Sequence, residues 1–130
     1  MKKLSMFFAL LLCMVTLCFA GVGCQKGEAE DVVITVENAS QNQTLLSYMQ
    51  TLQDGGELSF TINDGFITKI NGTANTLSSF WMLYTTDAEH SNTSWGTYEY
   101  NGETLGSADL GADELIVKNG EIYVWTYQTF

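Results

Sequence analysis

The sequence predicts a small α+β domain in which one short helix packs on a mainly antiparallel sheet, and three observations lead there. Apolar and polar residues alternate through much of the chain after residue 57, Asn-Gly and Asp-Gly pairs interrupt the alternation, and a single segment has helical spacing. Period-two alternation turns one side of a strand to a core, and Asn-Gly or Asp-Gly accepts the positive φ angles of a tight hairpin turn. The chain has no proline, which suits uninterrupted strands.

Val32 to Val36 is β-branched and apolar and reads as the first strand. Thr44 can cap a helix, and Leu45, Tyr48, Met49 and Leu52 then recur at helical spacing. Gly55-Gly56 supplies a left-handed stop, so the spacing predicts a helix from Leu45 to Gln53. Leu58, Phe60 and Ile62 alternate up to Asn63-Asp64-Gly65, and Phe66, Thr68 and Ile70 alternate again up to Asn71-Gly72, a hairpin signature. Phe80 to Thr85 is the most concentrated apolar run after the N-terminal segment and reads as a central strand. Thr86 to Ser94 is polar. Trp95 to Tyr100 then alternates into a second hairpin turn at Asn101-Gly102. Ala112 to Val117 and Glu121 to Tyr127 flank Asn119-Gly120 and read as a third hairpin. A strand, one helix and then strands give a β-grasp-like layout.

With 130 residues, 45% of them hydrophobic, the chain has room for one modest core. Its first 23 residues have the layout of a secretory signal: Lys2 and Lys3, an apolar stretch from Met6 to Ala20, and Gly21-Val22-Gly23 before Cys24. Val22-Gly23-Cys24 resembles a bacterial lipobox, with Gly21 where the pattern usually has Leu; Cys18-Phe19-Ala20 offers a competing cleavage point, after which the chain is secreted. About 15 apolar residues fall short of the roughly 20 that span a bilayer, which favours a cleaved leader over a membrane span. Cys13 and Cys18 leave with the leader, so Cys24 becomes the sole cysteine, and two acyl chains on it suffice for stable anchoring. The expected division is a signal over 1–23, lipidated Cys24 and a polar tether over 24–31, and the domain over 32–130. The expected location is extracytoplasmic, lipid-anchored to a bacterial cell membrane.

Beyond Cys24 only Lys26, Lys69 and Lys118 face fifteen carboxylates, a formal charge of −12, and the chain has no arginine. Such a surface repels phosphate backbones and lacks the guanidinium groups that read them, which sets nucleic acid aside. The charge is read chiefly as solubility, with attraction of cations or a basic partner as the sharper alternative.

Residues for catalysis are sparse, and the expectation is a protein that is not an enzyme. His90 is the single imidazole and stands in a Ser/Asn/Thr-rich segment with no cysteine to activate. Glu99 with Glu103, or Asp113 with Glu114, are carboxylate pairs of the kind glycoside hydrolysis uses, but acids beside turns are usually solvated. One histidine and one lipidated cysteine do not make the usual zinc sets, and no Asp-x-Asp-x-Asp-Gly loop occurs, so neither a cofactor nor a metal is expected. Asp109, Asp113 and Glu114 leave weak calcium binding open. Asn38, Asn42, Asn71 and Asn92 each begin a sequon, read as chance in a polar bacterial sequence.

Aromatic residues remain. Trp81, Trp95 and Trp125 with six tyrosines exceed what a core of this size hides, and exposed Trp and Tyr make flat, low-entropy platforms. Core packing of Trp81 and Trp125 is the competing explanation.

From Val32 to Gln128 the order of motifs resembles the C-terminal domain of transcobalamin and intrinsic factor, and bacterial lipoproteins carrying that domain alone. The resemblance is carried by Val33-Ile34-Thr35-Val36, the helix around Leu45-Leu46-Ser47-Tyr48-Met49, the Gly65 to Gly72 hairpin and Phe80-Trp81-Met82-Leu83-Tyr84. Asn101-Gly102, Leu105-Gly106-Ser107-Ala108 and the closing Asn119-Gly120-Glu121-Ile122 complete it. In those carriers the domain covers one face of cobalamin beside a helical barrel, which has no counterpart in this sequence; Thr85 to Tyr98 is also a longer polar excursion. The resemblance implies capture of cobalamin or a related corrinoid, transfer to a membrane transporter, and a strand close to the ligand at Trp81, which makes Trp81 the residue to test. Tyr84, Trp95, Tyr98 and Tyr100 complete the expected ligand-binding set. The alternative is an adhesion or scaffold module that recognises an envelope protein or glycan through Tyr98 and Tyr100.

Overall fold

The structure, a computed structural model, describes residues 29–130. The leader, both cleavage points and Cys24 lie outside that range. Among the described residues, eight strands and one short helix form a small, mostly antiparallel β domain.

Strands β1 (Val32–Thr35), β5 (Ser79–Thr85), β6 (Ser91–Tyr100), β7 (Glu103–Ala108) and β8 (Ile122–Thr129) make a five-stranded sheet in the order β1-β8-β5-β7-β6. A second sheet, β2-β3-β4, contains β2 (Phe60–Asn63), β3 (Phe66–Ile70) and β4 (Thr73–Ala74). The apolar run read as a central strand is β5, third of five, paired along its whole length with β8.

Helix α1 spans Leu45–Asp54 and buries Leu45 and Met49, with Leu46, Tyr48 and Leu52 half-buried beside them. Each of the two fully buried side chains contributes on the order of 2–3 kcal/mol of transfer free energy. The first turn leaves amide donors that need partners from outside the helix. Thr44 Oγ1 accepts from the Ser47 amide at 3.1 Å, while the Leu45 and Leu46 amides donate to the carbonyls of Leu115 and Ala112 at 2.7 and 2.9 Å. At the other end Gly56, not Gly55, takes the positive φ of 79°.

Those two carbonyls explain a correction. Ala112 to Val117 is not a hairpin strand; it is a turn that closes over the helix start, with Ala112, Leu115 and Val117 turned inward and an isolated bridge from Ile116 to the helix cap Thr44. The apolar residues there, Ala112, Leu115 and Val117, belong to the main core. Its expected partner, β8, instead runs between β1 and β5.

A second correction concerns β3. Thr61 pairs with Lys69 and Ile62 with Ile67, so Thr68 is an extra residue in a β-bulge. The bulge breaks the alternation: Ile67 and Ile70 face the core and Phe66 stands 71% exposed. The polar segment before Trp95 differs too, since β6 begins at Ser91, and Asn92–Ser107 and Thr97–Gly106 are consecutive pairs. Residues Thr93 to Gly96 therefore leave the ladder as a four-residue excursion.

The two faces of the five-stranded sheet have different roles. Ile34, Trp81, Leu83, Tyr123 and Trp125 point to the main core shared with α1 and the small sheet. Tyr84, Leu105 and Val124 form a smaller cluster closed by Met82, Tyr98, Tyr100 and Ile122. The Tyr98 hydroxyl donates to the carboxylate of Asp31, next to β1, so the two edges of the sheet are joined across this second cluster. Among the described residues no helix is long and apolar enough to cross a membrane.

Candidate functional site

A cleft follows from incomplete strand pairing. Strand β7 pairs with β5 only at Tyr84–Ser107 and Thr85–Gly106, so the first five residues of β5 have a strand on one side alone. The gap is flanked by the β2–β3 turn and by the chain that leaves β7, and it forms a cleft of about 450 Å³. Phe66, Phe80, Trp81, Leu83, Leu110 and Trp125 supply its apolar lining. Ligand pockets commonly occupy about 300–1,000 Å³ and are mainly apolar.

Its wall is held from several directions. Asn75 Oδ1 accepts the Trp81 amide at 2.9 Å on the side where β5 lacks a strand, and Asn75 Nδ2 donates to the Ile67 carbonyl at 3.2 Å. The Trp81 indole N–H donates to the Thr73 carbonyl at 2.8 Å, and its ring lies 5.2 Å from that of Tyr127. Trp81 is consequently a fixed wall with 6% exposure, whereas Phe66 and Phe80 at 71% and 38% are the lining residues a ligand can cover. At the rim the Asp113 carboxylate sits over Gly65 and Gly111. Gly65 has a φ of 83°, which favours glycine, and a Cβ there would make the exposed Asp113 carboxylate, 2.6 Å away, turn aside.

The residues expected to bind ligand do not meet in one place. Trp81 lines the cleft from the core face. Tyr84, three residues on, faces the opposite side, 5% exposed, with its ring 5.9 Å from Tyr98 and its hydroxyl accepting from Gln128 Nε2 at 2.9 Å. Tyr98 and Tyr100 are half-buried over the same cluster. Burial, and then the hydrogen bond to Asp31, push the Tyr98 phenol up to about 12. Trp95 projects from the excursion in edge strand β6, 65% exposed. Phe66, Phe80 and Leu110 line the cleft but are absent from the ligand-binding set expected from the sequence.

The carboxylate pairs are surface groups. Glu99 and Glu103 are exposed at the end of the β6–β7 hairpin, where Glu99 accepts from Thr104 Oγ1 at 2.6 Å, and Asp113 and Glu114 are exposed in the turn over the helix. Asp109, expected beside Asp113 and Glu114, instead meets His90, its Oδ1 lying 2.9 Å from His90 Nδ1.

No family model matches the chain, and no curated protein or solved structure matches it.

Proposed function

We propose that this chain is a non-catalytic binding domain of the bacterial envelope, lipid-anchored through Cys24, and that the cleft beside β5 is its ligand site. The observation that carries the reading is the cleft itself, a gap of about 450 Å³ walled by Trp81 and Trp125 and flanked by the exposed rings of Phe66 and Phe80. An exposed aromatic edge on a rigid wall favours a ligand with an extended apolar surface. A corrinoid, the ligand implied by the resemblance to the transcobalamin C-terminal domain, has such a surface and is larger than the cleft, so it is covered on one side only and remains accessible to a transporter. A β-grasp-like relationship accords with the single helix packed against the sheet.

The test is calorimetric titration of the full chain in detergent with cobalamin and cobinamide. Saturable 1:1 binding, weakened about tenfold in Phe66→Ala or Phe80→Ala, supports the reading; tenfold corresponds to about 1.4 kcal/mol, the loss of part of one covered ring. Trp81→Ala is a poorer probe, because Trp81 is core as well as wall. Binding that ignores both phenylalanines overturns the site, and no heat with either corrinoid overturns the ligand.

The position of Trp95 favours a second reading, an interaction module for an envelope protein or glycan. A tryptophan at 65% exposure on an edge strand is a contact platform, and it takes the place of Tyr98 and Tyr100, whose rings close a cluster of their own. Partner capture that depends on Trp95 and survives Phe66→Ala favours this alternative.

A further inference from the structure

We propose that Asp87, Glu89 and His90 form a binding site for one divalent transition-metal ion of the zinc or manganese class, occupied in the structure by the ammonium group of Lys118. One imidazole nitrogen of His90 and one carboxylate oxygen each from Asp87 and Glu89 lie within 4.8 Å of one another. A single ion can touch all three. Mixed nitrogen and carboxylate ligands suit borderline ions such as Zn²⁺ and Mn²⁺ better than Ca²⁺, which takes oxygen ligands.

An observation independent of the clustering points to a ligand there. Asp87 is 98% buried. Its Oδ1 accepts from the Glu89 amide at 3.1 Å and from Lys118 Nζ at 3.2 Å, while its Oδ2 is buried with no donor among the described residues. A buried carboxylate oxygen with no partner is costly, and a bound cation offsets that cost. Lys118 Nζ also bonds Glu89, so one positive charge already stands between the two carboxylates. The Lys118 side chain is 43% exposed and can swing into solvent when a divalent ion replaces it.

Asp109 completes the arrangement. Its Oδ1 lies 2.9 Å from His90 Nδ1, and an Nδ1–H donated there leaves the Nε2 lone pair free for a metal, as ligating histidines are commonly held. Asp87, Glu89 and His90 are close neighbours in sequence, and the fold adds Asp109 and Lys118 from distant segments. The His90 amide donates to the Asp87 carbonyl in a turn, and the Asp109 amide donates to the His90 carbonyl where β7 ends beside the start of β6. None of the residues lines the cleft, so this site and the cleft stand or fall separately.

Calorimetric titration of the full chain with ZnCl₂ and MnCl₂, in metal-free detergent buffer, is the test, with CaCl₂ as a comparison. The expected result is one ion per chain, bound at least about tenfold more tightly by Lys118→Gln, which removes the competing charge. His90→Gln and Asp109→Asn each weaken binding about tenfold or more. Asp87→Asn is avoided because a buried substitution risks the fold; circular dichroism checks the other three. Lys118→Gln that is folded yet takes up neither Zn²⁺ nor Mn²⁺ overturns the proposal. So does ion binding that His90→Gln leaves unchanged, or Ca²⁺ binding as tight as Zn²⁺, since either marks a plain carboxylate cluster.

Discussion

Replacing Gly106 with alanine tests the register of the β6–β7 pair, on which the projection of Trp95 depends. A Cβ at this position would fall on Ser91 Oγ and come within 3.0 Å of both the N and C atoms of Asn92. Ser91 Oγ cannot turn away freely, because it accepts the Gly106 amide at 2.9 Å; losing that bond costs about 1 kcal/mol. The Asn92 backbone is fixed by its pairing with Ser107, so overpacking adds about 1–2 kcal/mol. Gly106→Ala is therefore expected to destabilise the domain by about 2–3 kcal/mol, measured by urea unfolding followed through tryptophan fluorescence. Gly102→Ala is the control: nothing lies within 4 Å of its Cβ, and only its φ of 80° is strained, at about 1 kcal/mol. A second substitution, Ser91→Gly, should recover part of the Gly106→Ala loss. A Gly106→Ala domain within about 0.5 kcal/mol of the parent would refute the close approach and the register that creates it.

Three further outcomes follow from the fold and its edge contact. Met49→Ala removes a fully buried side chain between helix and sheet and should cost about 2–5 kcal/mol in the same unfolding assay. Thr44→Ala removes the acceptor for the Ser47 amide and should cost about 1 kcal/mol; no change would mean that the carbonyls of Ala112 and Leu115 suffice to hold the helix start. Tyr98 has a phenol raised from 10.0 to about 12 by burial and by Asp31, so it favours the folded state below pH 10, and that contribution fades as pH rises from 10 towards 12. Absorbance titration should show late tyrosines, because burial raises the Tyr123 phenol too, and Asp31→Asn should move only Tyr98, part of the way down, because its burial persists.

Much of the fold was legible because local signals and global packing agree. The helix bounds follow from Thr44 and the Leu45/Met49/Leu52 spacing, and Asn63-Asp64-Gly65 and Asn101-Gly102 make the turns their positive φ preferences imply. The third hairpin misled because an apolar run beside Asn-Gly says nothing about which backbone donors it must satisfy, and Ala112 and Leu115 serve the helix. Phe66 misled because the Thr68 bulge reverses the alternation, and one extra residue leaves no mark in composition. The separation of Trp81 from Tyr84 was available in the sequence, since residues three apart on one strand point to opposite faces. The meeting of His90 with Asp109 was not, because it needs the β6–β7 pairing to bring distant residues side by side.

The central claim is that the cleft beside β5 takes the ligand, and amide-resolved NMR of the full chain in detergent, titrated with cobinamide, tests it most directly. The account predicts saturable shifts centred on Phe66, Ile67, Phe80 and Leu110, with Tyr98, Tyr100 and the Trp95 excursion little changed. Shifts confined to Trp95 and its neighbours, or no shifts at saturating cobinamide, would contradict it.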